Sequence, residues 1–307
     1  MEQHDLVIIG GGAAGLTAGL YAARSRVDVM LLERLSPGGQ VLNTHWVENW
    51  PGDVEGVSGF DLSDRLRQHA LKFGLKIKNG EAAGLAVDGA YKTINTPNGE
   101  IRAKSVILCP GASPRKVGIP GEVELTGQGV SYCGTCDAPF YADVEVACIG
   151  GGNTAAEEAL YLTKFASKVY LVHRRDQLRA DGILVERVQA NEKIKVLWSH
   201  VPLAVQGGPE GVKALRLKDL KAAKEVEVPV QGVFVFVGTE PNTKFLQDSL
   251  KMDEQGFIIV GPEQTTSLAG VFAAGDCCKK RLRQIVVAAG EGAVAAYSAQ
   301  NYLEGFA

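Results

Sequence analysis

Two glycine-rich turns restrict the fold of this chain more than any other feature. Gly10-Gly11-Gly12-Ala13-Ala14-Gly15 and Gly150-Gly151-Gly152-Asn153-Thr154-Ala155 both read G-x-G-x-x-[GA], and each follows an apolar strand and opens a helix. One such match is a weak signal. Two, each in a strand–helix–strand setting, predict an α/β chain with two Rossmann-like nucleotide-binding domains. The glycines let backbone amides approach a pyrophosphate closely, and the helix N-terminus adds partial positive charge. A tight strand-to-helix turn with no ligand is the weaker reading.

The surrounding pattern agrees. DLVIIG and VDVMLLE read as strands with GGAAGLTAGLYAARS as the helix between them; EVACIG, TAAEEALYLTKFA and KVYLVH repeat that order. SGFDLSDRLRQHALKFG has helical periodicity, and SVILCPG is a buried strand ending in a turn. GVFVFVGTEPN closes the second unit, and GVFAAGD with the helix RQIVVAAGEGAVAAYSAQNYL finishes the chain. The reading is α/β with two parallel-sheet units.

The residues downstream of each loop separate two ligands. Glu33 stands 18 residues beyond Gly15, at the end of the second strand. An acid there accepts both ribose hydroxyls of an unphosphorylated adenosine and repels a 2′-phosphate. His173 stands 18 residues beyond Ala155 and is followed by Arg174, Arg175 and Arg179. Guanidinium groups suit a 2′-phosphate through bidentate, charge-assisted hydrogen bonds. The first loop is therefore expected to hold an FAD-type or NAD-type adenosine, and the second NADPH. The alternative for the arginines is a solvated face, which the matched offset disfavours. Gly275-Asp276 after GVFAAGD places an aspartate where it could hold a ribityl hydroxyl, and the helix after it would aim its N-terminus at a reduced isoalloxazine. Those two features favour FAD at the first site.

The other chemistry lies in SYCGTCDAPFY, where Cys133 and Cys136 stand two residues apart with Asp137 behind them. The N-terminus lacks a basic region, carries Glu2 and Asp5, and is broken by glycines, so it reads as mature structure and the expected location is the cytoplasm. There a C-x-x-C pair is catalytic or metal-binding rather than a permanent staple. Zinc is disfavoured, because Cys277-Cys278 are adjacent and cannot supply a second C-x-x-C half. Cys109 and Cys148 end apolar strands and read as core fillers. His4, His45, His69 and His200 are scattered without ligand spacing, and Lys279-Lys280-Arg281 reads as a solvated run that could steer an acidic protein. A net charge of −3 gives no reason to expect nucleic acid, and no apolar run approaches the ~18 residues of a membrane span.

VIIGGGAAGLTAGLYAAR, PGGQVLNTHWVENWPG, CGTCD, IGGGNTAAEEALYL, VHRRDQLRA and GVFAAGD with its RQ helix, in this order, resemble the bacterial-type, low-molecular-weight thioredoxin reductases over nearly the whole chain. The resemblance implies an FAD domain (residues 1–112 and 242–307) interrupted by an inserted NADPH domain (113–241) that carries the cysteine pair, and a homodimer. It implies FAD contacts at Gly10, Gly12, Ala13, Ala14, Gly15, Glu33, Gly39, Gln40, Asn49, Asp276, Arg283 and Gln284. NADPH contacts are implied at Gly152, Asn153, Thr154, His173, Arg174, Arg175 and Arg179. Cys133 and Cys136 would be the redox pair and Asp137 its acid/base. Cys136 would take electrons from the flavin and Cys133 would attack the disulfide of thioredoxin.

Glutathione and lipoamide reductases carry their cysteines soon after the first adenosine-binding unit, whereas Ser36 to Trp46 contains none. Nicotinamide and disulfide then share one domain and compete for one flavin. The family resolves this by a large rotation, whose hinges would fall near CPGASPRKVGIPG and VGTEPNTKF. A flavin dithiol oxidase and a ferredoxin-driven reductase are the alternatives; neither should keep the arginines. A peroxiredoxin-reducing flavoprotein would need a redox domain before Leu6, and a non-catalytic flavin sensor would not need the C-x-x-C-Asp. The chain departs from the family at Cys109-Pro110, at Leu282 and at Cys277-Cys278; drift in a loop is the plain reading of the last, and an additional thiol able to exchange with the active pair the sharper and weaker one.

Overall fold

The computed structural model describes residues 2–44, 46–246 and 249–305, so His45 and the outermost ends of the first expected domain lie outside the described residues. The chain divides into two compact units, Met1–Ser113 with Glu240–Ala307 and Pro114–Thr239.

In the first unit the order is β1 (Glu2–Ile9), α1 (Ala13–Arg24), β2 (Val29–Glu33), α2 (Gly59–Lys72), β3 (Lys76–Asn79), β4 (Gly84–Asp88), β5 (Tyr91–Thr96), β6 (Gly99–Leu108) and β7 (Ala112–Pro114). The sheet runs β3-β2-β1-β6-β5-β4. β1, β2, β3 and β6 are parallel, whereas β4, β5 and β6 form an antiparallel meander. That meander corrects the expectation of a purely parallel sheet. β4 is only five residues long and β5 is interrupted by polar residues, so neither carries the long apolar run by which buried parallel strands are read.

Period-two alternation along β1 divides the core. Leu6 and Ile8 pack toward α1, while Val7 and Ile9 pack on the opposite face with Met30, Leu108 and Ile258. Each is at most 5% exposed, and burying such a side chain contributes about 1.5–3 kcal/mol. At the start of α2 the Ser58 hydroxyl caps the helix by accepting the Asp61 N–H at 3.0 Å.

The second unit contains β8 (Val130–Ser131), α3 (Gly134–Asp137), β9 (Glu145–Gly150), α4 (Asn153–Leu162), β10 (Lys168–His173), α5 (Gly182–Ala190), β11 (Ile194–Trp198), β12 (His200–Gly208), β13 (Gly211–Asp219), β14 (Lys224–Pro229) and β15 (Gly232–Phe236). A parallel sheet, β11-β10-β9-β15-β8, carries the second glycine loop, and β12-β13-β14 form a separate antiparallel sheet that the strand–helix alternation of the sequence does not announce. Here too alternation sorts the faces. Val146 and Cys148 of β9 pack with α4, and Ala147 and Ile149 pack with Leu215 and Leu217 of β13.

Glu122, fully buried, ties down the loop that leads into this unit. Its carboxylate accepts the N–H groups of Val117 (2.9 Å), Gly118 (2.7 Å) and Ile119 (3.4 Å) and the Tyr132 hydroxyl (3.0 Å). Burial and that carboxylate push the Tyr132 phenol up to about 12. Glu122→Ala would remove the one acceptor these four partly buried donors share, so the second unit should lose about 3 kcal/mol of stability. The fall in its urea midpoint, followed by circular dichroism, measures the loss; an unchanged midpoint would remove this role.

β16 (Thr239–Pro241) pairs with β7 where the chain crosses between the units. The chain then forms β17 (Val271–Ala273), parallel to β6, and ends in α6 (Ile285–Glu304). α6 crosses α1 so closely that a Cβ on Gly292 would lie 2.2 Å from the Ala14 carbonyl oxygen. This crossing brings the α6 N-terminus to the first glycine loop. No helix among the described residues is long and apolar enough to cross a membrane.

Candidate functional site

The first loop is shaped by close approaches. Gly10 has φ +100°, and a Cβ there would meet the Cys109 carbonyl oxygen at 2.2 Å; on Gly15 it would meet the Gly10 oxygen at 1.9 Å. Gly12, by contrast, has open space where its Cβ would be, which leaves room for a ligand to reach the backbone. Glu33 ends β2 as expected, its carboxylate accepting the Gly11 N–H at 2.6 Å and the Leu35 N–H at 2.8 Å. Gly39 reaches the same loop, since a Cβ on it would lie 3.2 Å from Gly12 Cα. Gln40 follows Gly39 in a short 3-10 turn, Gly39–Asn43.

Residues far apart in sequence gather around this loop. Gly275 lies against Ala14, a Cβ on it being 3.0 Å from Ala14 Cβ, and its N–H donates to Glu291 Oε2 at 2.8 Å. Asp276 follows. Its Oδ1 is buried with no hydrogen-bond partner among the described residues, and burial raises its pKa against the opposing pull of Lys280 and Arg283. Arg283 stacks over Phe257 at 4.3 Å. Gln284 caps α6 and accepts from Asn49 Nδ2 at 3.0 Å. A buried, unsatisfied acceptor beside an open glycine loop fits a flavin dinucleotide with polyol hydroxyls to donate.

Two expectations for this region need correction. Lys280 is not part of a solvated run: its ammonium pairs with Glu291 and is only 10% exposed. Cys277 and Cys278 are 0% and 1% exposed, with sulfurs 3.9 Å apart, so as core residues they are not placed to exchange with another pair. Cys109 is likewise buried, and burial raises its thiol pKa far above the ordinary value.

In the second unit, the loop Gly150–Gly152 rests on His173. A Cβ on Gly151 would lie 2.1 Å from His173 Nδ1, which is 2.9 Å from the Gly150 carbonyl oxygen. His173 is 5% exposed, its Nε2 is buried without a partner among the described residues, and burial lowers its pKa, so the ring is neutral. It shapes the loop from beneath and brings no positive charge. Asn153 is engaged as well, exchanging two hydrogen bonds with Asp181 at the start of α5 (2.9 and 2.8 Å). Thr154, Arg174, Arg175 and Arg179 are exposed, and among the described residues none of the three guanidiniums is in an ion pair. The Arg179 N–H donates to the Gly151 carbonyl at 2.7 Å, which fixes that arginine at the loop. A neutral cradle flanked by three uncommitted guanidiniums fits a phosphorylated adenosine.

Cys133 and Cys136 form a disulfide, with Cys133 capping the short helix α3. Behind it Ser131, 4% exposed, donates to Asp137 Oδ2 at 2.6 Å and accepts the Cys133 N–H at 3.1 Å. Sequence reasoning passes over Ser131. The signal, a small hydroxyl two residues before the pair, acquires meaning only when α3 folds Asp137 back onto it. Among the described residues no group of three or more His, Cys, Asp or Glu side chains could hold a metal ion.

Known proteins share this arrangement. Residues 4–292 match the family described as "Pyridine nucleotide-disulphide oxidoreductase". A thioredoxin reductase of Bacillus subtilis is 42% identical over 301 residues, covering 98% of this chain and 95% of that protein, and one from Listeria innocua is equally similar, covering 98% and 94%. Among solved structures, the thioredoxin reductase of Streptococcus pyogenes superposes with a TM-score of 0.95 at 41% identity, covering 99% of both chains.

Proposed function

Since the chain belongs to the pyridine nucleotide-disulphide oxidoreductases and, within them, to the thioredoxin reductases, we propose how its own residues divide the work of reducing thioredoxin with NADPH. The observation that carries this reading is the Cys133–Cys136 disulfide, held in the same unit as a glycine loop flanked by uncommitted arginines.

The unit of residues 1–113 and 240–307 is the FAD domain, and the cofactor is held through Gly10, Gly12, Ala13, Ala14, Gly15, Glu33, Gly39, Gln40, Asn49, Asp276, Arg283 and Gln284. FAD held by these residues would supply two-electron transfer between the nicotinamide and the disulfide. Residues 114–239 form the NADPH domain; Arg174, Arg175 and Arg179 recognise the 2′-phosphate, and Gly152, Asn153 and Thr154 at the loop, with His173 beneath it, complete the NADPH contacts. Cys136 receives the electrons and Cys133 attacks the disulfide of thioredoxin. The mixed disulfide is resolved by the second thiol. Asp137 holds the proton that thiolate formation and departure require, oriented by Ser131. Donor and acceptor alternate through rotation of the inserted domain at the two crossings.

The three arginines also argue against the oxidase and the ferredoxin-driven reductase, neither of which uses a nicotinamide. The location is the cytoplasm, where a reversible dithiol is maintained. A homodimer is supported by an exposed apolar stripe on α6, where Val286, Val294 and Tyr297 are 43%, 39% and 65% exposed.

Anaerobic titration of the purified yellow protein with NADPH, followed by thioredoxin, tests flavin, donor and acceptor together. The expected result is bleaching by NADPH and recovery of colour on adding oxidised thioredoxin. A colourless protein, or bleaching that thioredoxin does not reverse, overturns the proposal. Ser131→Ala should lower kcat for thioredoxin about tenfold, the loss of one hydrogen bond to a charged group. Bleaching by NADPH should be unchanged; equal losses in both half-reactions would assign Ser131 to stability instead.

A further inference from the structure

Asp137 is not the only carboxyl beside the disulfide. Glu158 of α4 directs Oε2 at the backbone of Gly134, the residue that follows Cys133. A Cβ at position 134 would lie 1.9 Å from Oε2 and 3.1 Å from the Glu158 carboxyl carbon, so only glycine admits this carboxyl. Oε2 is buried, and among the described residues no hydrogen-bond donor reaches it. The described surroundings bring acid and apolar groups. Glu157 is its neighbour on α4, the Cys148 thiol on β9 feels its charge, the Phe236 ring of β15 approaches the same face of Gly134, and Gly134 opens α3, which carries Cys136 and Asp137.

Glu158 is half-buried, and among the described residues its buried Oε2 has neither a hydrogen-bond donor nor an ion-pair partner. Burial first, and repulsion from Glu157 second, push the Glu158 carboxyl up to about 7. Burial raises the Cys148 thiol in turn, with Glu158 adding to the effect.

We propose that Glu158 is a positioning residue of the redox pair: its carboxyl packs under Gly134, and its ionisation state governs how readily the reduced pair holds a thiolate. The inference rests on Cys133 and Cys136 being the redox pair. Reduction of that disulfide consumes two electrons, supplied by the established reaction, and one proton, giving one thiol and one thiolate. The S–S bond breaks and a negative charge appears on the cysteine segment against which Glu158 packs. A neutral carboxyl tolerates that charge. An ionised one repels it, so the thiol pKa rises as Glu158 loses its proton, and the two groups titrate as a coupled set.

The test is alkylation by iodoacetamide. The flavoprotein is reduced with dithiothreitol, desalted under argon and alkylated between about pH 5.5 and pH 9, and mass spectrometry follows labelling at Cys133 and Cys136. Cys109, Cys148, Cys277 and Cys278 are buried and do not interfere. Below about pH 6 the wild type and Glu158→Gln should react equally, because both present a neutral neighbour. Above the Glu158 transition, near pH 8, the glutamine variant should react about three- to tenfold faster, since removing one adjacent charge lowers a thiol pKa by about half to one unit. The wild-type profile should also be broader than a single-proton curve, a measurement that needs no variant. Parallel profiles at every pH, or a one-proton curve in the wild type, overturn the role of Glu158 alone. No labelling of either cysteine in either protein overturns the redox reading beneath it.

Discussion

Cys136→Ser should abolish thioredoxin reduction while leaving the flavin fully reducible by NADPH. The serine hydroxyl cannot form a disulfide, so the electron pair has no sulfur relay to enter, and turnover should fall by at least ~1000-fold. The bleaching half-reaction does not pass through the pair. Cys133 caps α3 and Cys136 lies on it, their Cα atoms 5.3 Å apart, while the arginines follow β10 on a different segment. Stopped-flow absorbance at the flavin band separates the two steps. Loss of bleaching in the variant would contradict the division of labour; retained thioredoxin reduction would remove Cys136 from the relay.

The Arg174→Ala, Arg175→Ala double variant should lose about 100- to 1000-fold in kcat/KM for NADPH, with NADH changing less than about threefold. Charge-assisted hydrogen bonds contribute about 1.5–3 kcal/mol each, and each 1.4 kcal/mol is a factor of ten. Both side chains are exposed, so their removal strands no buried partner and should spare the fold. The exposed contacts also imply that rising salt weakens NADPH binding more than NADH binding. Equal losses for the two nucleotides would mean that the arginines do not read the 2′-phosphate.

Asn153 and His173 show where sequence position and role separate. Both fall in the glycine-loop region at places that match a cofactor contact. Asn153 spends its amide on Asp181, and His173 lies under Gly151 with its ring neutral. The pattern locates a loop but does not say which of its neighbours support it and which face outward. Lys280 makes the same point in reverse. In a run of three basic residues it reads as surface, yet it pairs with Glu291, a helix residue whose arrival depends on α6 crossing α1 at Gly292.

Short-range sterics are written in order along the chain. Gly15 is demanded by its own strand-to-helix turn and Gly10 by its positive φ there, with Cys109 adding a close approach from afar; Glu33 and the arginines fall at strand ends set by spacing, and Cys133 and Cys136 are close enough to bond within one turn. Sequence by itself therefore determined the two nucleotide loops, the α/β class and the dithiol. Burial is a property of the assembled chain. Only the tertiary structure decided that Asp276 keeps an unsatisfied oxygen, that Ser131 orients Asp137, that β4 and β5 turn antiparallel, and that Glu158 packs beneath Gly134. Desolvation comes from segments distant in sequence, and even near neighbours such as Ser131 and Asp137 meet only once α3 has folded.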